Sequence, residues 1–220
     1  MTCLEIGAGF GSIALWLANE VGENGLVIAT EVKSDCLSVL NTYTNPNLIV
    51  KKHDIATDEI DSTKFDIIHS RFVLEHLPTR EQVIKKLIKA LKPGGWLFIE
   101  DADYSTITLT GSAAYMLAMQ HYVSSIESKG SDYSWTIKIP HLFSAENLES
   151  VEAKGNVEIF RGGSEQAKFF MQNLYHLRAQ LYKSGLKTED LNKALLDLNN
   201  PNLWFSGPLV LSVFGRKPQI

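Results

Sequence analysis

Between residues 2 and 100, five short apolar runs recur with a helical pattern or a polar loop between each and the next. They are Thr2–Ile6, Leu26–Glu31, Leu48–Lys51, Phe65–Ser70 and Trp96–Glu100, each rich in Ile, Val, Leu or Phe. Short apolar strands alternating with helices cannot be joined by hairpins. They predict an α/β fold: a doubly wound, Rossmann-like, mostly parallel sheet with helices on both faces. The clearest helical pattern is TREQVIKKLIKALKPGG, where Val83, Ile84, Leu87, Ile88 and Leu91 mark one face. Thr79 with Gln82 reads as a capping box at its start, and Pro93-Gly94-Gly95 as its stop.

Beyond Asp101 the rhythm changes. Ser112–Ser128 reads as a helix, and SAENLESVEAKG as a short capped helix ending at Gly155. A strand is expected at Val157–Phe160. Helices follow at Glu165–Lys183 and Glu189–Leu198, with Ser164 and Thr188 as N-caps. PLVLSVFGRKP then reads as a strand returning to the sheet. The expected organisation is one domain: residues 1–101 as a ligand-binding half, 102–208 as a mostly helical region, and 209–216 as the final strand.

Composition narrows the class. A net charge of −4 with no long basic run argues against nucleic acid as the partner. Two cysteines far apart, with no His/Cys cluster, argue against a zinc site or a disulfide framework and predict a reducing, cytoplasmic setting. No run has the roughly 18 apolar residues of a membrane span, and the N-terminus lacks a signal-peptide pattern.

The chemistry begins at LEIGAGFGS. Gly7, Gly9 and Gly11 follow the first strand as G-x-G-x-G, one residue short of the dinucleotide fingerprint G-x-G-x-x-G. No Gly-Lys-Ser/Thr follows, which argues against a nucleoside triphosphate. Glu31, ending the second strand, is placed to accept from ribose hydroxyls, a device that dinucleotide enzymes share. A nicotinamide-dependent oxidoreductase is the alternative, weakened by the glycine spacing and by the lack of any Tyr-x-x-x-Lys.

LEIGAGFGS, Glu31, HDI (His53–Ile55), FDIIHSRFVLEHLP and LIKALKPGGWLFIED together resemble, in order and spacing, class I S-adenosylmethionine-dependent methyltransferases. Residues 3–101 carry the likeness, and the later part is similar to bacterial small-molecule members of the ubiquinone-biosynthesis type. The resemblance implies a seven-stranded sheet with its last strand antiparallel, and S-adenosylmethionine as cofactor, released as S-adenosylhomocysteine. It implies that Glu5 faces the methionine ammonium, and that Gly7, Ala8, Gly9, Phe10 and Gly11 pass beneath the methionine and ribose. Glu31 would hold the ribose and Val32 the adenine face. Asp54 would meet the adenine amino group, with Ile55 donating from its backbone, and Ser70, Arg71 and Phe72 would line the methionine end. Arg71 departs from the small or apolar residue usual there and equally suits a carboxylate at the sheet edge. His76 reads as structural.

The implied reaction is an in-line methyl transfer to a small, apolar or aromatic acceptor. No Asn/Asp-Pro-Pro-aromatic loop follows strand four, where this chain has SRFV, and no cysteine follows Cys36 to act as a nucleophile on a base. Asp101, Asp103, Tyr104, His121 and His141 are the candidates for a general base, if the acceptor needs one. About fifty residues separate Phe160 from Leu209, and helices there are expected to cover the substrate. Family members carry helices before the first strand, whereas this sequence opens on the strand; that predicts a more open cofactor site. A binding protein that keeps the fold without catalysis is a further alternative.

Overall fold

The computed structural model describes residues 1–128 and 130–219. In chain order its first elements are β1 (Thr2–Ile6), α1 (Ser12–Glu20), β2 (Leu26–Glu31), α2 (Ser34–Leu40) and β3 (Leu48–Lys52). Next come β4 (Phe65–Arg71), α3 (Arg80–Ala90) and β5 (Leu91–Asp103). The remainder comprises α4 (Ala113–Glu127), α5 (Ile139–Ala145), β6 (Glu149–Arg161), α6 (Glu165–Lys183), α7 (Thr188–Leu198) and β7 (Trp204–Arg216).

The strands form one seven-stranded sheet in the order β3-β2-β1-β4-β5-β7-β6. β1 lies parallel between β2 and β4, with Glu5 opposite Ala29 on one side and His69 on the other. Cys3, Leu4, Glu5 and Ile6 are all buried, as expected of a central parallel strand covered on both faces. At the far end the direction reverses. Gly94 and Gly95 of β5 exchange backbone bonds with Lys217, just past β7, so these strands run antiparallel. Gly162 donates to Leu203 on the opposite side of β7. The chain winds outward through β2 and β3, then returns across β1 to β4. Such a reversal opens a crevice beyond the carboxyl ends of the two central strands, where ligands of doubly wound sheets bind.

The chain forms two compact units. One comprises residues 1–101, 137–154 and 211–220; the other comprises 102–136 and 155–210. In the first, α1 buries Ala14, Leu17 and Ala18, and Leu17 and Ala18 cluster with Cys3 and Val27. α3 buries Val83, Ile84, Leu87 and Ile88, the face read from its spacing. In the second, Tyr115 and Met119 of α4, Phe170 and Leu174 of α6, and Leu191 and Leu198 of α7 share a core with Phe160 and Phe205. Ser164 caps α6 as expected, its Oγ accepting from the Ala167 amide at 3.2 Å.

Several local expectations are corrected. SAENLESVEAKG does not form a helix: α5 ends at Ala145 and β6 begins at Glu149. Ser144 sits inside α5, where its hydroxyl donates to the Pro140 carbonyl instead of capping. Thr79 precedes α3 but its side chain makes no cap bond, because its backbone (φ −93°, ψ 21°) is not the extended one a cap requires. α7 starts at Thr188 itself, capped by Lys187 without a side-chain bond. Pro93-Gly94-Gly95 lies within β5, since the chain turns extended at Leu91 directly after α3. The Lys217 ammonium takes over the exposed helix carbonyls there, donating to Ile88 and Leu91. The last strand begins at Trp204, before the expected 209.

Candidate functional site

At the carboxyl ends of β1, β2 and β4 lies a cavity of about 570 Å³. Each wall follows from local chemistry. After β1 the chain must turn sharply into α1, and Gly7, Gly9 and Gly11 all take positive φ (65°, 55° and 93°). They do different jobs. A Cβ on Gly7 would lie 2.4 Å from Val73 Cγ2, and one on Gly11 would lie 2.6 Å from Leu40 Cδ2, so both allow close packing. A Cβ on Gly9 would meet no protein atom within 4 Å, and Gly9 lines the cavity. Its missing side chain therefore leaves room for a ligand. Ala8 holds the turn, donating to the Thr30 carbonyl and accepting from Gly11.

Glu31 ends β2 on the cavity wall with 6% exposure. Its Oε2 accepts from the Gly9 amide at 2.8 Å, and its Oε1 from the amides of Val32 (2.8 Å) and Lys33 (3.0 Å). A carboxylate offers roughly four acceptor positions, so one remains for a ligand hydroxyl. Beyond β3, Asp54 Oδ1 accepts from Ala56 and the Asp54 amide donates to Asp58, which closes a tight turn. The bond from the Asp54 amide holds the exposed Asp58 carboxyl below its usual range. Lys86 of α3 pins the turn by donating to the Ile55 and Asp58 carbonyls. His53 Nε2 lies 3.2 Å from the Glu59 carbonyl, which can only accept, so this nitrogen carries the proton. The buried Nδ1 has no protein partner.

The fourth wall is the segment after β4. Phe72, itself in the left-handed region at φ 56°, donates its amide to the Glu100 carbonyl. Asp101, fully buried at the end of β5, accepts from the amides of Val73 and Glu75, each at 3.1 Å. Burial and the nearby Glu75 push the Asp101 carboxyl well up, against the pull of those amides. Phe72, Val73, His76 and Leu77 all line the cavity.

Of the residues anticipated from sequence, Gly7, Gly9, Phe10, Glu31, Val32, Asp54, Ile55 and Phe72 line this cavity together. Ala8 and Gly11 are not in its wall: Ala8 holds the turn by backbone hydrogen bonds and Gly11 packs against Leu40. Glu5, Ser70 and Arg71 are not in its wall either. Glu5 is 2% exposed and pairs with His69; Ser70 is fully buried; the Arg71 guanidinium stacks over Phe72 at 5.7 Å. The candidate bases are engaged elsewhere, except His141, which is exposed on α5. Asp101 holds the Val73–Glu75 backbone, and Asp103 caps the turn at Ser105. Tyr104 packs on Tyr133, and His121 Nδ1 meets the Ser184 hydroxyl at 2.9 Å. Lining residues that sequence reasoning missed include Lys33, Cys36 and Val73. Their positions just after anticipated residues or on the next helix were the available signal. Among the described residues, no His, Cys, Asp and Glu gather to hold a metal, and no helix is long and apolar enough to cross a membrane.

Comparison with known proteins gives this geometry its context. A family described as a methyltransferase domain matches residues 4–97. Methyltransferase str2 of Strobilurus tenacellus is 30% identical over 156 residues, which is 69% of this chain and 54% of that protein. Ubiquinone biosynthesis O-methyltransferase of Coxiella burnetii is 29% identical over 140 residues, 61% of this chain and 56% of that one. The chain thus spans about half the length of these curated relatives. Among solved structures, phosphoethanolamine N-methyltransferase 2 of Haemonchus contortus, in complex with phosphomonomethylethanolamine and S-adenosylhomocysteine, shares the fold. Its TM-score is 0.63 at 15% identity, over 100% of this chain and 49% of that one. The crevice between β1 and β4, the strand order and the matched family agree, and the chain belongs to the class I S-adenosylmethionine-dependent methyltransferases.

Proposed function

We propose that this chain binds S-adenosylmethionine in the cavity between β1, β2 and β4 and transfers its methyl group to a small-molecule acceptor. The observation that carries the reading is the pairing of Glu31 with Gly9. A buried carboxylate keeps one acceptor position open beside the one glycine of the turn whose absent side chain leaves space. That set suits a ribose hydroxyl held close to backbone. Asp54 suits the amino group of an adenine, with Val32 and Ile55 as its apolar contacts. The cofactor supplies an activated methyl carbon on a sulfonium, so the protein need furnish no electrophile.

What the residues contribute is position and dryness. The Asp101-held segment and the glycine turn fix two walls, and fixed placement of reactants is worth up to about 7–11 kcal/mol in favourable cases. Phe10 and Phe72, 63% and 43% exposed at the rim, favour an apolar or aromatic acceptor. The relatives named for ubiquinone biosynthesis and for phosphoethanolamine support a small acceptor rather than a nucleic acid. Both cysteines are unbridged, which suits a reducing compartment.

Calorimetry with S-adenosylhomocysteine, NAD and NADP tests the cofactor. Saturable binding of S-adenosylhomocysteine is expected. Glu31→Gln should weaken it about 10–100-fold, the loss of one hydrogen bond to a charged group. Binding of a nicotinamide nucleotide alone would sink the proposal. Transfer of a labelled methyl group over a panel of small apolar and aromatic metabolites then tests catalysis; cofactor binding with no turnover on any of them would favour a binding protein.

A further inference from the structure

Glu5 is the penultimate residue of β1, next to the cavity-lining Ile6, and is 2% exposed. Its Oε2 lies 2.6 Å from Nδ1 of His69 on β4. Among the described residues no hydrogen bond reaches its Oε1. A carboxylate buried this deeply calls for a donor at each oxygen, and the protein supplies one for Oε2 only. The α-ammonium of S-adenosylmethionine is a donor of the right charge for the other.

Oε1 can serve an ammonium only while Glu5 is ionised. Burial pushes the Glu5 carboxyl up, toward its neutral form, and His69 and Arg71 pull against that. His69 is itself held from the far side. Its Nε2 lies 3.4 Å from Oε2 of Glu100 on β5, and Glu100 Oε1 accepts from the Ser212 hydroxyl of β7 at 2.5 Å. Only a doubly protonated imidazole can donate to both carboxylates. Burial disfavours that charge, but the bonds to Glu100 and Glu5 outweigh it and push His69 up to about 9. The charged groups facing Glu5 from β4 and β5 are therefore His69, Arg71 and Glu100, with Cys3 the titratable neighbour on its own strand.

We infer that His69 is a positioning residue for the amino-acid end of the ligand: strung between Glu5 and Glu100, it keeps the Glu5 carboxylate ionised and fixed by Oε2, with Oε1 as the acceptor for an ammonium. The inference rests on the cofactor reading proposed above and carries it from the adenosine half to the other end of the ligand. His69 acts through Glu5 and touches no ligand atom itself.

Calorimetry on the full chain with S-adenosylhomocysteine and with 5′-methylthioadenosine, which lacks the ammonium and carboxylate, tests it. The wild type should prefer S-adenosylhomocysteine by about tenfold or more, nearly constant from about pH 6 to 7.5, where an α-amino group stays mostly protonated. His69→Gln removes the charge and leaves Glu5 to its burial. Its preference at pH 6 should fall by about tenfold, then recover as pH rises to about 7.5 and Glu5 ionises. Equal weakening of both ligands, a variant preference that does not change with pH, or no wild-type preference overturns the inference alone. The ¹⁵N signals of His69 in the wild type should be those of an imidazolium at pH 7.5; a neutral ring there overturns it without recourse to any variant. Failure of both ligands to bind the wild type overturns the cofactor reading along with it.

Discussion

Gly7 and Gly9 both adopt left-handed backbone, so substituting each by alanine separates the two functions of the turn. Alanine in that region costs about 1–2 kcal/mol in either place. At Gly9 nothing else is met, and Gly9→Ala should destabilise the protein by about that amount. At Gly7 the new methyl falls 2.4 Å from Val73 Cγ2, far inside ordinary carbon contact. Overpacking of that kind adds about 1–3 kcal/mol, so Gly7→Ala should lose about 2–5 kcal/mol in total. Ligand binding should rank the other way per unit of stability lost. The Gly9→Ala methyl enters the cavity and should weaken S-adenosylhomocysteine about tenfold or more while the fold survives. Urea unfolding gives the stabilities and calorimetry the affinities. Val73→Ala supplies the control: it removes the clashing methyl, so the Gly7→Ala/Val73→Ala pair should show about 1–3 kcal/mol of favourable coupling. Equal losses at the two glycines, or no coupling to Val73, would refute the assignment of packing to one and ligand clearance to the other.

Two further outcomes are expected. Asp101→Ala strips the acceptor from two amides behind the cavity wall and should cost about 2–4 kcal/mol in urea unfolding, with Asp101→Asn recovering part; a neutral effect would mean that the segment after β4 does not depend on it. His69, raised from 6.5 to about 9, contributes stability that is complete below pH 6.5 and lost as pH rises through 9. Glu100, lowered from 4.5 to about 2, contributes stability present above pH 4.5 and lost as pH falls toward 2. Urea midpoints should therefore decline between pH 6.5 and 9 in the wild type and far less in His69→Gln; parallel declines would contradict the pairing.

The fold was legible where the sheet is central. β1 and β2 are buried along most of their length and every residue of β4 is buried or half-buried, as their apolar runs foretell. Helices α4, α6 and α7 were legible from their periodicity. β6 was legible only over 157–160; its first part was read as helix, because most of its residues are exposed and its charged sequence carries no alternation to read. Ser144 and Gly155 looked like caps for a helix that the edge of the sheet does not need. In the site, Glu31 was readable because it ends β2 on the ligand side of the sheet, and Asp54, two residues past β3, only through the family resemblance of HDI; both line the cavity. His69 was hidden inside an apolar strand run. Its partner is 64 residues away, a pairing that only the register of β4 on β1 creates.

The place of β7 has a consequence for synthesis. It is the last of the seven described strands in chain order, yet it lies between β5 and β6. Until residue 216 has left the ribosome, β5 presents an open row of amides and carbonyls, and β6 has no strand to lie against. The aromatic face of Trp96 and Phe98 likewise lacks Phe214, which completes its stack. The nascent chain is therefore most prone to wrong pairing after β6 has emerged and before β7 has, and a chaperone acting in that interval would protect it more than one acting before it.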